Sequence, residues 1–428
     1  MRLFDTYSKS LVELPPAPGP VRMYFCGPTV YARAHVGNAR PFVVGMWLRS
    51  WLRSQGYDAT LVHNITDVND KIYDAAPGGS AALAEQATAW YLEDTGDLGL
   101  GMPDHMPKVT EHIPGIVAFI GSLIESGHAY PVNGDVYFRI ASFPEYGRLS
   151  GNRPDQMEDL EPNPLKEDPR DFALWKANKP GEDTAWDAPW GRGRPGWHIE
   201  CSAMAEELLG PAFEIHGGGL DLVFPHHENE LAQSRALGHP FAQIWAHNGL
   251  LQFTGEKMSK SVGNIASIRE VLDEWGSNAL LMFFLTGHWR KPIDFSEETM
   301  AQAVAQLDGF KNALIWDFKV RREAPGWDAF SAALEDDFNT PEALAVMHQW
   351  RAAGQTDLLK RALPLFGIEL EGLIPAPPRV TLLAEQRRDA RDAKDFETAD
   401  RIRAELASLQ WDIRDTDEPP GYRLIPIP

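Results

Sequence analysis

The stretch Arg22-Met23-Tyr24-Phe25-Cys26-Gly27-Pro28-Thr29 decides how the chain is built. An apolar run that reads as a short strand stops at a Gly-Pro turn, with Cys26 at the carboxyl end of the strand. A helix follows: Val43, Val44, Trp47, Leu48, Trp51 and Leu52 recur at helical spacing between Asn38 and Gln55, and Gly56 is placed to end it. Ala59 to Ile65 then reads as a second strand. Strand, helix and strand within about 45 residues predict a βαβ unit, in which ligands sit beyond the carboxyl ends of the strands.

Working outward, residues from about Pro114 to Pro195 lose long periodicity. Asn152-Arg153-Pro154-Asp155, Glu161-Pro162-Asn163-Pro164 and the Trp/Gly/Pro-rich run from Trp186 break it up, so this stretch reads as an insertion. Strand and helix signals resume at Gly196 and run to about Gly287 as a second α/β half. From Ser296 the composition turns helical, with a helix start at Asn339-Thr340-Pro341-Glu342 read as Thr340 at the N-cap and Pro341 in the first turn. Pro375-Ala376-Pro377-Pro378 reads as a stiff linker. Beyond it, Arg387, Arg388, Arg391, Lys394, Arg401 and Arg403 alternate with carboxylates, giving either a solvated helix pair or an RNA-facing edge.

The chain has 428 residues, enough for about three domains at roughly 150 residues each. Hydrophobic residues make up 43% and charged residues 24%, a balance that excludes disordered and fibrous classes. With 61 acidic against 40 basic residues the net charge is −21, so any contact with a polyanion must come from local basic patches. The two cysteines, Cys26 and Cys201, are too few for a disulfide framework and suit a reducing compartment. No secretory leader or membrane span is read, and a cytosolic protein is expected.

Three constellations carry chemistry. Cys26, Cys201, His226 and Glu230 can supply two thiolates, an imidazole and a carboxylate to a tetrahedral zinc ion. His226 and Glu230 share a face if a helix begins after Pro225, each cysteine is read as preceding or ending a strand-like segment, and His227 and Glu228 are rival ligands. His35-Val36-Gly37-Asn38 lies in the turn into the first helix, where free N–H groups can meet a phosphate. Lys257-Met258-Ser259-Lys260-Ser261 sets two lysines in a glycine-flanked loop suited to the charge of a transferring triphosphate. A given five-letter string matches a chain this long by chance on the order of once in ten thousand.

Together these segments resemble the class I aminoacyl-tRNA synthetases, whose two signatures are written HIGH and KMSKS. The closer resemblance is to the cysteinyl-tRNA synthetases. It is carried by Tyr24-Phe25-Cys26-Gly27-Pro28-Thr29-Val30-Tyr31, His35-Val36-Gly37-Asn38-Ala39-Arg40-Pro41, Asn64-Ile65-Thr66-Asp67, Gly196-Trp197-His198-Ile199-Glu200-Cys201-Ser202, His216-Gly217-Gly218-Gly219-Leu220-Asp221 and Phe224-Pro225-His226-His227-Glu228-Asn229-Glu230. The resemblance covers nearly the whole chain. It implies an α/β fold: a split Rossmann-type catalytic domain (1–113 and 196–287) with a connective insertion (114–195). A mostly helical C-terminal region follows, made of a stem-contact segment with a helical bundle (288–374) and a small anticodon-binding domain (375–428). It also implies one zinc per chain on Cys26, Cys201, His226 and Glu230. Gly27, Thr66 and Trp197 would surround the substrate cysteine, and Asp221, His35, Asn38, Lys257 and Lys260 would act on ATP, which carries Mg2+. Two positions depart from the family pattern: Asn69 stands where aspartate is usual, and the segment Asp415 to Leu424 lacks the usual Thr-Trp-Arg ending.

The implied reaction is ATP-dependent activation of L-cysteine and its transfer to tRNA(Cys), by a protein expected to be monomeric with no membrane partner. A thiolate bound to zinc would let the site reject serine without a proofreading domain. Two other classes are weighed. A zinc-dependent ligase joining cysteine to the amine of a glucosaminyl-inositol shares the catalytic core but lacks most of the C-terminal region. A non-catalytic regulator on a degenerate core has no need of intact His35 to Asn38 and Lys257 to Ser261.

Overall fold

A computed structural model describes residues 1–152, 162–253, 266–316, 324–370, 376–415 and 421–427 of the chain. It opens with a hairpin of β1 (Arg2–Asp5) and β2 (Ser10–Glu13), which the sequence reading passed over. Then come β3 (Pro20–Phe25), α1 (Val36–Ser54) and β4 (Asp58–His63), with β3 and β4 parallel and Phe25 opposite His63. The expected βαβ unit is present, its strands beginning and ending slightly earlier than their apolar runs.

The chain continues through α2 (Asp70–Ala75), α3 (Ser80–Gly96) and α4 (Ile113–Glu125). β5 (Ala129–Val132), β6 (Asp135–Phe138), β7 (Phe172–Ala177) and β8 (Gly193–Pro195) then form a separate antiparallel sheet. The second α/β stretch contains α5 (Trp197–Leu209), β9 (Ala212–Gly219), α6 (Glu228–Ala236) and β10 (Phe241–Asn248). Its strands join those of the first in one parallel sheet ordered β10-β9-β3-β4, with Met23 opposite Ile215 and Phe25 opposite Gly217 at the seam. Residues far apart in sequence thus share one carboxyl edge.

After β11 (Leu251–Gln252) come α7 (Ile268–Trp275), begun by a capping box of Ser267 and Glu270, α8 (Ser277–Thr286) and β12 (Ile293–Asp294), which pairs with β11. Helices α9 (Glu297–Trp316), α10 (Trp327–Glu335), α11 (Thr340–Ala353) and α12 (Thr356–Ala362) follow. The N-cap of α11 is Asn339, one residue before the expected Thr340; its amide oxygen accepts from the Glu342 N–H, and Thr340 begins the helix proper. One apolar core joins α1 to α8–α12, and the Trp47 indole N–H donates to the Phe366 carbonyl at 2.9 Å. Each such side chain fully buried contributes about 1.5–3 kcal/mol, enough over many residues to hold the helical region against the sheet. A second core on the other side of the sheet holds α4, α5 and the antiparallel sheet.

The chain ends in α13 (Pro378–Asp392), α14 (Phe396–Ser408) and a hairpin of β13 (Trp411–Asp415) and β14 (Tyr422–Pro426), around a small core of their own that takes in Ile315 of α9. The charged helix pair differs from an open basic edge. Arg387 is buried and bonds Asp415 at 2.6 Å, Arg391 reaches the same carboxylate at 3.2 Å, and Arg388 pairs with Asp389 at 2.8 Å. Among the described residues no helix is long and apolar enough to cross a membrane.

Candidate active site and metal centre

At the carboxyl edge of the parallel sheet lies a cavity of about 410 Å³, with Cys26, Gly27, His35, Asn38, Trp197 and Asp221 in its wall. This is the edge at which a doubly wound sheet binds ligands. The loop after β3 is pressed against the loop after β4: Val30 N–H donates to the Thr66 carbonyl at 3.1 Å, and Thr66 N–H donates to Pro28 at 3.0 Å. Glycine is required at 27 because a Cβ there would fall 1.7 Å from the Asn64 carbonyl oxygen. Gly27→Ala is therefore expected to push the two loops apart, at about 1–3 kcal/mol or more. Melting should drop by several degrees, at roughly 2–4 °C per kcal/mol, and the KM for cysteine in ATP–pyrophosphate exchange should rise at least about tenfold. A variant with unchanged melting temperature and KM would contradict this packing argument.

Another part of the wall is the start of α1. His35 sits at its N-cap without making a side-chain cap bond, and the first turn carries no acidic residue, so the positive end of the helix stays open to an anion. Burial holds the His35 imidazole below its usual pKa, and the charge of Asp221, in the 3-10 turn after β9, partly opposes that shift. From within α1, the buried Arg40 guanidinium donates to the His288 carbonyl at 3.1 Å and to the Gly249 carbonyl at 2.5 Å. It thereby fixes the segment entering β11. Lys257 and Lys260 lie outside the described residues.

The metal-type side lies behind Cys26. Ligand atoms of Cys26, Cys201, His226 and Glu230 all lie within 4.8 Å of one another, and all four residues are buried. His226 Nε2 is 3.1 Å from Glu230 Oε1, which is 3.6 Å from Cys26 Sγ. Zinc bonds of about 2.0–2.3 Å in a tetrahedron set ligand atoms about 3.3–3.8 Å apart, so the cluster has the right size. Its donors also suit a cation: burial pushes the Glu230 carboxyl and the Cys26 thiol well above their usual ranges, and a divalent charge would favour their anionic forms. His226 Nδ1 faces His198 Nδ1 at 3.0 Å, which turns Nε2 toward the cluster.

Some placements differ from the sequence reading. Cys201 stands within helix α5 and not beside a strand, and α6 begins at Glu228, preceded by a five-residue π-helical turn that carries His226. Glu228 is turned away, its two oxygens accepting from the Gly147 and Ser150 N–H groups at 2.8 and 2.7 Å. Thr66 lies behind the cavity wall, where its hydroxyl donates to the buried Glu200 at 3.1 Å. Asn69 caps α2 by accepting from Lys71 N–H, a task that asparagine and aspartate perform equally well. The sequence reading weighed His227 as a rival ligand and did not single out His216 or His247 beside it. His216 lies 3.1 Å from Glu230, and His227 lies 3.3 Å from Cys26 and 2.7 Å from His247. Cys26, His216, His227 and Glu230 form a second compact donor set that shares two members with the first. His216 stands within a quoted motif, and only its convergence in space with Cys26, His227 and Glu230 marks it.

Residues 14–305 match the family model of the tRNA synthetases class I (C) catalytic domain, and residues 329–353 match the DALR domain. The Mycobacterium tuberculosis methionyl-tRNA synthetase in complex with methionyl-adenylate shares the fold, with a TM-score of 0.57 at 15% identity over 82% of this chain and 88% of that one. Fold and matched model define a class I aminoacyl-tRNA synthetase. The cysteine–tRNA ligase of Pseudothermotoga lettingae is 41% identical over 462 residues, covering 99% of each chain. That of Alkalilimnicola ehrlichii is 45% identical over 437 residues, covering 92% of this chain and 93% of its own. The chain belongs to the cysteine–tRNA ligase family.

Proposed function

We propose that the protein activates L-cysteine with ATP to cysteinyl-adenylate and then transfers it to tRNA(Cys). The observation that carries this reading is that one residue, Cys26, belongs both to the nucleotide-sized cavity and to the buried thiol-imidazole-carboxylate cluster. In the first step the cysteine carboxylate attacks the α-phosphorus and pyrophosphate leaves. In the second, the terminal ribose hydroxyl attacks the acyl carbonyl, and AMP leaves as that hydroxyl loses its proton. No covalent bond to the enzyme is needed, and catalysis is positioning plus charge stabilisation.

His35 and Asn38 would hold phosphates at the start of α1, Asp221 would meet the nucleotide, and Lys257 and Lys260 would stabilise the departing pyrophosphate, which carries Mg2+. Gly27, Thr66 and Trp197 would surround the cysteine. The Trp197 ring lies 4.3 Å, centroid to centroid, from that of His226, closing the amino-acid end from the side of α5. Cys26, Cys201, His226 and Glu230 would hold one zinc, which supplies a Lewis acid that selects a thiolate over a hydroxyl. By the same reading, 1–113 with 196–287 is the catalytic domain and 114–195 its insertion, 288–374 contacts the acceptor stem, and 375–428 meets the anticodon. The protein would work as a cytosolic monomer.

Cysteine-dependent ATP–pyrophosphate exchange, followed by charging of tRNA(Cys), tests the proposal; exchange with serine in place of cysteine should be smaller by about 10⁴. Lys260→Ala should slow adenylate formation roughly a hundredfold, about 3 kcal/mol, because the lysine acts on charge that appears in the transition state. Unchanged turnover with only a raised KM for ATP would assign Lys260 to ground-state binding instead.

A further inference from the structure

We propose that Tyr31 and Lys71 form a landing platform for the 3′-terminal nucleotide of the acceptor RNA, the phenol ring stacking on the last base and the ammonium meeting a phosphate of the same strand. This rests on the aminoacylation reading above. Both residues line the cavity and both are solvent-exposed, Tyr31 to 40%. Lys71 Nζ stands 5.5 Å from the centre of the Tyr31 ring. An exposed aromatic face beside an ammonium is the pattern by which proteins take single-stranded nucleic acid, since every base offers a face to stack and every linkage a charge.

The pair is held in place by its surroundings. The loop carrying Tyr31 is tied to the one leading to Lys71 by the Thr29–Thr66 bridge, and Asn69 caps the turn from which Lys71 projects. Asp70, the nearest acid in sequence, is engaged by Lys176 at 2.9 Å and by Arg194, which also packs on Tyr73. Lys71 is thus left without a carboxylate partner among the described residues. Arg33, the other long cation in the cavity wall, is held by Glu93 and Asp94 at 2.9 Å each.

Assignment of the other substrates leaves this wall free. The cysteine end belongs to Cys26 and Trp197, and the phosphates belong to the start of α1. What remains to be seated is the nucleotide whose ribose hydroxyl must reach the acyl carbonyl, and it has to come through the mouth of the cavity. In a molecule with a net charge of −21, an unpaired lysine at that mouth offers local attraction that the surface as a whole does not.

The test compares wild type with Tyr31→Ala, Tyr31→Phe, Lys71→Ala and Lys71→Arg, all at exposed positions where folding is checked by melting. Three quantities are read: cysteine-dependent exchange without RNA, single-turnover transfer from preformed adenylate, and binding of tRNA(Cys) with and without its last nucleotide. The alanine variants should keep exchange within about twofold and lose roughly tenfold to a hundredfold in transfer, the scale of one stacked base. The Phe and Arg variants should keep most of the transfer rate. The difference in RNA affinity between wild type and the alanine variants should vanish when the last nucleotide is removed. Equal losses in exchange and transfer would assign the pair to ATP or cysteine and overturn the platform, as would unchanged transfer. A wild-type protein that exchanges pyrophosphate yet charges no RNA would overturn the aminoacylation reading itself, an outcome visible before any variant is made.

Discussion

Cys201→Ala protein is expected to lose most of its zinc and its measurable cysteine-dependent pyrophosphate exchange. The substitution removes one of two soft donors from a cluster in which Cys26, Glu230 and His226 are all buried, so water cannot easily take the vacated place. Without a bound cation, burial pushes the Glu230 carboxyl and the Cys26 thiol above their usual ranges, which disfavours their anionic, metal-binding forms. Metal binding has to displace protons from both, so the remaining three donors should bind weakly. The fold should survive, because Cys201 sits in the middle of α5 among apolar neighbours and alanine suits a helix. Elemental analysis of the purified variant, with melting as a control, decides the matter. Full zinc occupancy would move the ion to the neighbouring set of Cys26, His216, His227 and Glu230, and X-ray absorption would then report one sulfur neighbour and two imidazoles.

What could be read from the sequence followed from periodicity and short motifs. The βαβ unit was legible because Val43, Val44, Trp47, Leu48, Trp51 and Leu52 repeat at helical spacing between two apolar runs, and those same residues are buried on α1. The pairing of β3 with β9 was not legible, since a parallel seam between distant strands leaves no local mark. The small antiparallel sheet of β5–β8 stayed hidden for a related reason: its strands are three to six residues long and are separated by Pro- and Gly-rich connections. Cys201 was misread as flanking a strand, because Trp197 to Ser202 is mixed apolar and polar and shows its helical period only when continued to Leu209. In the C-terminal helix pair, Arg387 counted as one of several exposed cations; only the tertiary fold brings Asp415 of β13 beside it and buries it. The histidines around the cluster come from β9, the turn before α6, and β10, and no spacing rule gathers them.

A chain ending at Ile374 should keep cysteine-dependent pyrophosphate exchange largely intact while charging tRNA(Cys) at least about tenfold less efficiently, tenfold being about 1.4 kcal/mol of binding. The cut is physically mild. The C-terminal helices and hairpin have their own core, and of the described residues preceding residue 371 only Ile315 belongs to it. The core that joins α1 to the helical region, including Trp47 and Phe366, lies wholly before the cut. Adenylate formation draws on the cavity at the carboxyl edge of the sheet, whose wall among the described residues lies entirely before the cut. RNA charging differs because a macromolecular polyanion must be held by a protein of net charge −21, and each phosphate contact adds about 0.7–0.9 to the slope of log affinity against log salt. The full chain should therefore lose charging steeply as salt rises while its exchange activity changes little, and the shortened chain should show a shallower salt slope. Arg387 and Arg391 are engaged by Asp415, so the cations expected to contribute are those outside that pair, Lys394 and Arg401 among them. If the shortened chain charged tRNA as efficiently as the whole one, with the same salt slope, recognition of the RNA would rest on the catalytic half and the helices before Ile374 alone.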